Sequence, residues 1–86
     1  MNEQATTTRP LYEIAREVYA VWPKVSYSAL PYLNAMTDLV TMEDNYCADS
    51  ADSIVICFLC NATGWRGADA RRIKAELGAM LKAHEQ

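Results

Sequence analysis

Seven consecutive apolar residues, Ile54–Cys60 (IVICFLC), constrain this chain more than any other part of its sequence. Such a run has no polar face to turn towards water, so the rest of the molecule must cover it on nearly all sides. Periodicity does not separate a buried strand from a buried helix here, and the β-branched residues in the run favour a strand. The assignment therefore depends on the flanking residues.

The flanking residues favour a helix. The segment 49–53 (DSADS) supplies acceptors for the open N–H groups of a first helical turn, with Asp49 and Asp52 near capping-box spacing. The chain has no second alternating run with which a strand could pair, and a lone strand leaves its backbone unsatisfied. We therefore predict a central buried helix that ends near Asn61 or Ala62.

Helical periodicity recurs on both sides of this run. Proline ends the first of the flanking helices, and short connections separate the others. The three flanking helices are predicted from Pro10 to about Trp22, from Ser26 or Ser28 to Glu43, and from Trp65 or Ala68 to His84.

A chain of 86 residues has room for one domain and one core. We predict a disordered N-terminal tail over residues 1–8 and a single helical domain over residues 9–86. Short connections make neighbouring helices antiparallel, so the predicted fold is all-α, a small four-helix bundle around the central buried helix. Because so short a chain is 51% apolar, a homodimer that completes the core is a further expectation.

The N-terminus lacks the basic start and apolar segment of a secretory signal. The longest apolar run is also far shorter than the about 20 residues that span a bilayer. We therefore expect a cytoplasmic protein that does not associate with a membrane and whose cysteines stay reduced. Three cysteines, an odd number, fit a disulfide scaffold poorly.

The net charge of −3 conceals an asymmetry along the chain. No Lys or Arg lies between Val25 and Trp65, whereas five of the eight basic residues lie in the last quarter. An acidic stretch of this kind favours charge-guided protein binding or imitation of a line of phosphates. The alternative is that two of the carboxylates cap a helix and the others solubilise a loop. The candidate partner-binding carboxylates are Asp38, Glu43, Asp44, Asp49 and Asp52.

The basic end of the chain gives a second candidate surface. Its residues follow a four-residue turn after the buried helix, in the outline of a helix-turn-helix motif whose last helix reads DNA. Asp69 and Glu76 interrupt this surface, and a net-acidic domain gains little from phosphate contacts. A solvated basic face is the alternative interpretation. The candidate nucleic-acid-binding residues are Arg66, Arg71, Arg72 and Lys74.

Trp65 and Arg66 form a third candidate contact, because Trp and Arg dominate the hot spots of protein interfaces. The alternative is that Trp65 closes one end of the core.

Cys57 and Cys60 form a C-x-x-C pair, and Cys47 with His84 would complete a zinc site. The pair lies inside an apolar helix near its C-terminal end, where cysteine acts as a small hydrophobe and a thiolate is not stabilised. We therefore expect no metal and no cofactor. His84 has no evident nucleophile, and the chain carries no reaction motif, so we expect no enzymatic activity.

Four segments together resemble a group of small uncharacterised proteins of bacteriophages and prophages of Gram-positive bacteria. They are RPLYEIARE (9–17), ALPYLNAM (29–36), DNYCADSADSIV (44–55) and FLCNATGWRGADARRIKAEL (58–77). The resemblance implies a phage protein made in a bacterial cytoplasm, and it implies no catalytic or binding residue. Phage proteins of this size and charge are often inhibitors or adaptors of host machinery, including anti-CRISPR proteins.

The sequence thus predicts a small non-catalytic protein that binds and modulates a host protein. The most concrete expectation is an inhibitor of a bacterial nucleic-acid-directed complex, engaged through residues 38–52 with Trp65 and Arg66. The alternatives are a DNA-binding or replication-associated module that uses the basic last helix, and a zinc-stabilised scaffold.

Overall fold

Four helices and one very short hairpin make up the computed structural model, which describes residues 9–85. The mostly helical class with four helices is therefore confirmed, whereas the predicted tail over residues 1–8 lies outside the described residues. In chain order the elements are α1 (Leu11–Val21), α2 (Leu30–Met36), β1 (Asn45–Tyr46), β2 (Asp49–Ser50), α3 (Ala51–Asn61) and α4 (Ala68–Glu85).

The first predicted helix is confirmed as α1. Apolar residues at helical spacing bury one face, and Trp22 ends the helix by donating its N–H to the Val18 carbonyl at 2.8 Å. The first N–H groups of α1 find partners far along the chain. Leu11 N–H donates to the Val40 carbonyl and Tyr12 N–H donates to the Leu39 carbonyl, both at 2.9 Å. The start of α1 is thereby attached to the connection that follows α2.

The second helix is much shorter than predicted, because α2 ends at Met36 instead of continuing to Glu43. The Thr37 hydroxyl donates to the Asn34 carbonyl at 2.6 Å, a bond that competes with helical pairing. Beyond this point the backbone turns through bonds three residues apart, including Leu39 N–H to the Met36 carbonyl at 3.1 Å. The chain therefore leaves the helix early and runs into a loop and the hairpin.

The hairpin joins this loop to α3. Tyr46 lies opposite Asp49 and Asn45 lies opposite Ser50 in antiparallel register. The chain reverses at Cys47, whose φ of 56° is a left-handed conformation that non-glycine residues adopt at a cost. The two strands are short and exposed, so the hairpin serves as a connection and contributes little to the core.

The apolar run is helical, as predicted, and the strand interpretation is wrong. Ile54, Val55 and Phe58 are buried within α3. The expectation that the run is covered on nearly all sides is also wrong, because Ile56 is 47% exposed and Cys60 is exposed. The reason is that α2 and α4 are the helices that chiefly pack on α3, which leaves one side of it uncovered.

Aromatic rings close one end of the core. The ring of Trp22 stacks on that of Trp65 with centroids 5.0 Å apart, and its edge meets Phe58 at 6.4 Å. These contacts join the end of α1, the middle of α3 and the turn before α4. Gly67 then allows the chain to enter α4 with a φ of 108°, which side-chain-bearing residues rarely adopt.

Candidate partner-binding surface

The acidic segment, residues 38–52, is built on a hydrogen-bonded frame. The Asp44 carboxylate accepts the N–H groups of Val40 and Thr41 at 2.8 and 3.0 Å, which closes the loop after α2. The Asp44 carbonyl accepts Ala51 N–H at 2.8 Å, which joins the loop to the start of α3. Together with the two bonds from α1, these contacts hold the acidic segment in one backbone conformation.

Asp44 therefore has a structural role within this segment. The Thr41 and Val40 N–H groups hold the pKa of its carboxyl below the ordinary aspartate value, with the Thr41 bond the larger cause. Bonds from the backbone stabilise the charged form, so the loop and the negative charge depend on each other. Neither interpretation from the sequence gave Asp44 this role, since the alternative to partner binding was that it only solubilises the loop.

Asp52 is also engaged within the molecule. Its carboxylate accepts the Ser50 hydroxyl and, at 2.8 Å, the Ser53 N–H, and its other oxygen lies 3.5 Å from His84 Nε2 near the end of α4. These contacts, the Ser50 bond foremost, lower the pKa of Asp52 below its ordinary value. Asp52 thus organises the first turn of α3, whereas Asp49, the other predicted cap, lies in β2 and caps nothing.

Three carboxylates of the acidic segment are left for a partner. Asp38, Glu43 and Asp49 are exposed, and their side chains form no hydrogen bond or ion pair with any other residue in 9–85. Because no Lys or Arg lies between Val25 and Trp65, their charges are not neutralised locally along the chain. These three are called the free carboxylates below.

Trp65 and Arg66 differ in their exposure to solvent. Trp65 is only 5% exposed and stacks in the core, so its ring is not offered at the surface. Lys74 Nζ donates to the Trp65 carbonyl at 2.7 Å and lies 5.9 Å from the ring centroid, which fixes the residue further. The arrangement is the alternative stated from the sequence, in which Trp65 closes one end of the core, and Arg66 is the exposed member of the pair.

The four candidate nucleic-acid-binding residues do not all lie on one surface. Arg72 turns towards α1, where its guanidinium meets Glu17 at 2.6 Å, and it contacts Asp69 at 3.1 Å. The other three line an open groove of about 400 Å³ beside the start of α4, together with Thr63 and Gly67. The structure therefore brings together only these three of the four predicted nucleic-acid-binding residues: Arg66, Arg71 and Lys74.

An ionic network between α1 and α4 was not predicted from the sequence. Arg9 pairs with Glu17 at 2.8 Å and with Glu76 at 2.7 Å, and Glu17 also holds Arg72. Arg72 and Arg9 lower the pKa of Glu17, and Glu76 foremost raises that of Arg9. No local spacing signals these pairs, because Arg9 and Glu76 are 67 residues apart along the chain.

A groove between α2, the hairpin and α3 was also missed. We call it the α2–α3 groove; it has a volume of about 360 Å³ and is open to solvent. No sequence signal located it, because a uniformly apolar run does not show which of its sides stays uncovered. Its lining residues are Pro31, Tyr32, Ala35, Tyr46, Asp49, Ser53, Ile54 and Cys57.

The chemical groups in the described part of the chain do not form a recognisable reaction centre. Ser50 bonds directly to the Asp52 carboxylate, and His84 lies on the far side of that carboxylate. In a Ser–His–Asp triad the imidazole lies between the hydroxyl and the carboxylate, whereas here the carboxylate lies between the hydroxyl and the imidazole. Within residues 9–85 no three His, Cys, Asp or Glu side chains lie together as a metal site would require, and the three cysteines are unbridged.

A concavity of about 550 Å³ lies where the first described residue, Arg9, approaches the end of α4. Glu43, Met80 and His84 are among its lining residues, so one free carboxylate shares this concavity with Arg9.

No protein-family model matches this chain, and comparisons with curated proteins and with solved structures find no similar protein. The resemblance to phage proteins therefore stays a hypothesis. None of the helices in residues 9–85 combines the length and the apolar character needed to cross a lipid bilayer.

Proposed function

We propose that this protein has no catalytic role and acts by binding a basic surface of another protein through the acidic segment. The observation that carries this proposal is the set of free carboxylates, Asp38, Glu43 and Asp49, on a backbone that internal hydrogen bonds already hold. A prearranged surface loses little conformational entropy on binding, and charges of one sign steer a basic partner towards it.

The concrete form of the proposal is a phage-type inhibitor, made in a bacterial cytoplasm, of a nucleic-acid-directed complex such as a CRISPR effector. Complexes that handle nucleic acids present Lys and Arg surfaces to phosphates. Free carboxylates on a hydrogen-bonded backbone, in a part of the sequence that contains no Lys or Arg, complement such a surface. The resemblance to small phage proteins supports the setting, and the charge arrangement supports the mode of action.

We also propose that the four helices constitute a bundle in which α3 is central and has one face open. The packing of α2 and α4 on α3, and the contact of Phe58 with Trp22 at the end of α1, support this arrangement. Amide hydrogen exchange provides the test. Amides of α3 are expected to exchange last, and earlier exchange in α3 than in α1 would contradict a central position.

The binding proposal is tested with charge reversals that leave the frame intact. Asp38→Lys and Glu43→Lys are each compared with Glu13→Lys, which makes the same change in net charge on an exposed face of α1. Asp44 is excluded because it holds the loop. Proteins retained from a bacterial extract by the tagged wild-type chain are identified, and the affinity of the retained protein for each variant is measured.

We expect each reversal in the acidic segment to weaken that affinity at least about tenfold, and Glu13→Lys to change it little. Equal affinity of all three variants would remove the acidic segment from the proposal. Raising the salt concentration is expected to weaken binding of the wild type more than binding of Asp38→Lys, since screening acts on the charges that remain.

Nucleic-acid binding is the second candidate, and the groove lined by Arg66, Arg71 and Lys74 favours it. A gel-shift titration at low and moderate salt tests it with wild type and with Arg66→Gln/Arg71→Gln. If phosphates bind there, the double variant binds more weakly. The logarithm of its affinity also falls less steeply with the logarithm of the salt concentration, by the amount expected for about two lost phosphate contacts. Absence of a shift at low salt would exclude this candidate.

A further inference from the structure

In the α2–α3 groove, this small protein exposes apolar side chains to water. Ile54 is buried at its floor, and Tyr32 and Cys57 are half-buried along its sides. Tyr46, which also lines the groove, is 37% exposed. Contiguous apolar surface of this kind on a soluble protein is typical of an interaction site.

The charge around the groove indicates the kind of occupant. Asp49, a free carboxylate, stands on the rim beside the Ser53 hydroxyl. The lining comes entirely from residues 31–57, a part of the sequence that contains no Lys or Arg. An occupant that brings cations to Asp49 while burying apolar side chains between α2 and α3 satisfies both properties of the groove.

A second copy of this chain satisfies them poorly. In a two-fold dimer through the groove, each copy presents the same surface, so both copies bring an Asp49 carboxylate to the interface. Neither copy contributes a Lys or Arg from this face to neutralise them. Charge complementarity therefore favours a different, basic chain.

We propose that the α2–α3 groove binds a basic amphipathic segment of the partner protein. Apolar side chains of that segment enter the groove between α2 and α3, and its Lys or Arg side chains pair with Asp49. This inference rests on the proposed function and adds to it the place where the partner inserts. The free carboxylates guide the approach of the partner, and the groove supplies the apolar contact that retains it.

The test uses a synthetic peptide of about four helical turns in which Leu and Lys alternate at helical spacing. A second peptide with Glu in place of every Lys is the matched control. Each peptide is added to the isotopically labelled full chain, and backbone amide signals are followed by NMR. We expect the Lys peptide to shift signals of Tyr46, Asp49, Ser53 and Cys57, and the Glu peptide to leave them unchanged.

Two variants and one control locate the site. Tyr46→Ser removes an apolar margin and Asp49→Lys reverses the rim charge, whereas Tyr27→Ser removes a tyrosine that is 92% exposed and does not line the groove. We expect at least about tenfold weaker peptide binding for the first two variants and unchanged binding for the third. Dispersed amide spectra establish that each variant is folded. If Tyr46→Ser does not fold, Asp49→Lys alone is used to locate the site.

Several results would overturn the inference. They are equal binding of both peptides, shifts confined to other parts of the chain, wild-type affinity in both groove variants, or a dimer in light scattering whose interface covers the groove. The retained host protein separates this inference from the proposed function. If Asp38→Lys loses that protein and Tyr46→Ser keeps it, the groove inference fails and the proposed function stands. If both variants retain the host protein, the groove inference and the proposed function both fail.

Discussion

The face between α1 and α4 and the acidic segment contain similar charged residues but use them differently. On the first, Glu17 is held by Arg9 and Arg72, and Arg9 also holds Glu76. In the second, Asp38 and Glu43 meet no cation among the described residues. The difference shows that the position of a charged residue in the sequence does not reveal whether it is free to bind a partner. Whether it is free depends on whether a residue of opposite charge on a distant element pairs with it.

The same contrast applies to the aromatic residues. Trp22 and Trp65 stack inside the core at one end of the molecule, while Tyr46 and its apolar neighbours border an open groove. One region therefore stabilises the fold and the other is free to bind. Substitutions in the two regions are expected to separate stability from binding.

The largest effect is expected from Trp65→Ala. Removing the stacked ring empties the closed end of the core and should lower the free energy of unfolding by about 3–5 kcal/mol. Arg66→Ala, the exposed neighbour, should change it by less than about 0.5 kcal/mol. Urea denaturation followed by circular dichroism measures both. Similar losses for the two variants would contradict the separation of this pair by burial.

Glu17→Gln tests the ionic network. The substitution removes the charge that both Arg9 and Arg72 contact, and we expect a loss of roughly 1 kcal/mol, reduced in high salt because the site is partly solvated. Glu13→Gln, on the exposed side of the same helix, is the control and should have little effect. Equal losses would mean that the network does not hold α1 to α4.

Asp44→Ala tests the frame of the acidic segment. Its carboxylate accepts two backbone N–H groups, so its removal is expected to lower the unfolding midpoint and to hasten amide exchange at Val40 and Thr41. Glu43→Ala, whose side chain makes no such bonds, should leave both unchanged. Slow exchange at Val40 in Asp44→Ala would show that the loop is held by other contacts.

The smallest difference between a variant and the wild type is expected in acid. The pKa values of Glu17, Asp44 and Asp52 are lowered in the folded chain, so their stabilising contributions are complete above about pH 5. These contributions are lost as the pH falls through the folded-state pKa values, because the unfolded chain then binds more protons. Unfolding midpoints measured from about pH 6 to about pH 3 should fall less in Glu17→Gln than in wild type. A decline in Glu17→Gln parallel to that of the wild type would contradict the prediction.

Local pattern was sufficient to predict much of the fold. Helical spacing located α1 and α4, and the acceptor-rich segment before Ile54 correctly favoured a helix over a strand. The end of α2 was not predictable in the same way, because the connection that follows it is held by the N–H groups of Leu11 and Tyr12, which donate to the Val40 and Leu39 carbonyls from far earlier in the chain. A non-local arrangement of this kind leaves no periodic signal.

The candidate site was predicted in composition but not in detail. Sequence alone identified the acidic segment, yet it could not tell that Asp44 and Asp52 are engaged internally while Asp38 and Glu43 are exposed. It also could not place Trp65 in the core, since burial of a lone Trp depends on which elements meet around it. Exposure of Ile56 was hidden because a uniformly apolar run gives no information about its uncovered side.

The hydrogen bonds from α1 to the loop after α2 allow two amide protons to report on the conformation of the acidic segment. Leu11 N–H and Tyr12 N–H are held by the carbonyls of Val40 and Leu39, within the acidic segment. Their exchange with solvent requires that the two stretches part, whatever happens in the rest of α1. Any ligand that tightens or loosens residues 38–52 will thus change the exchange of these two amides of the N-terminal helix.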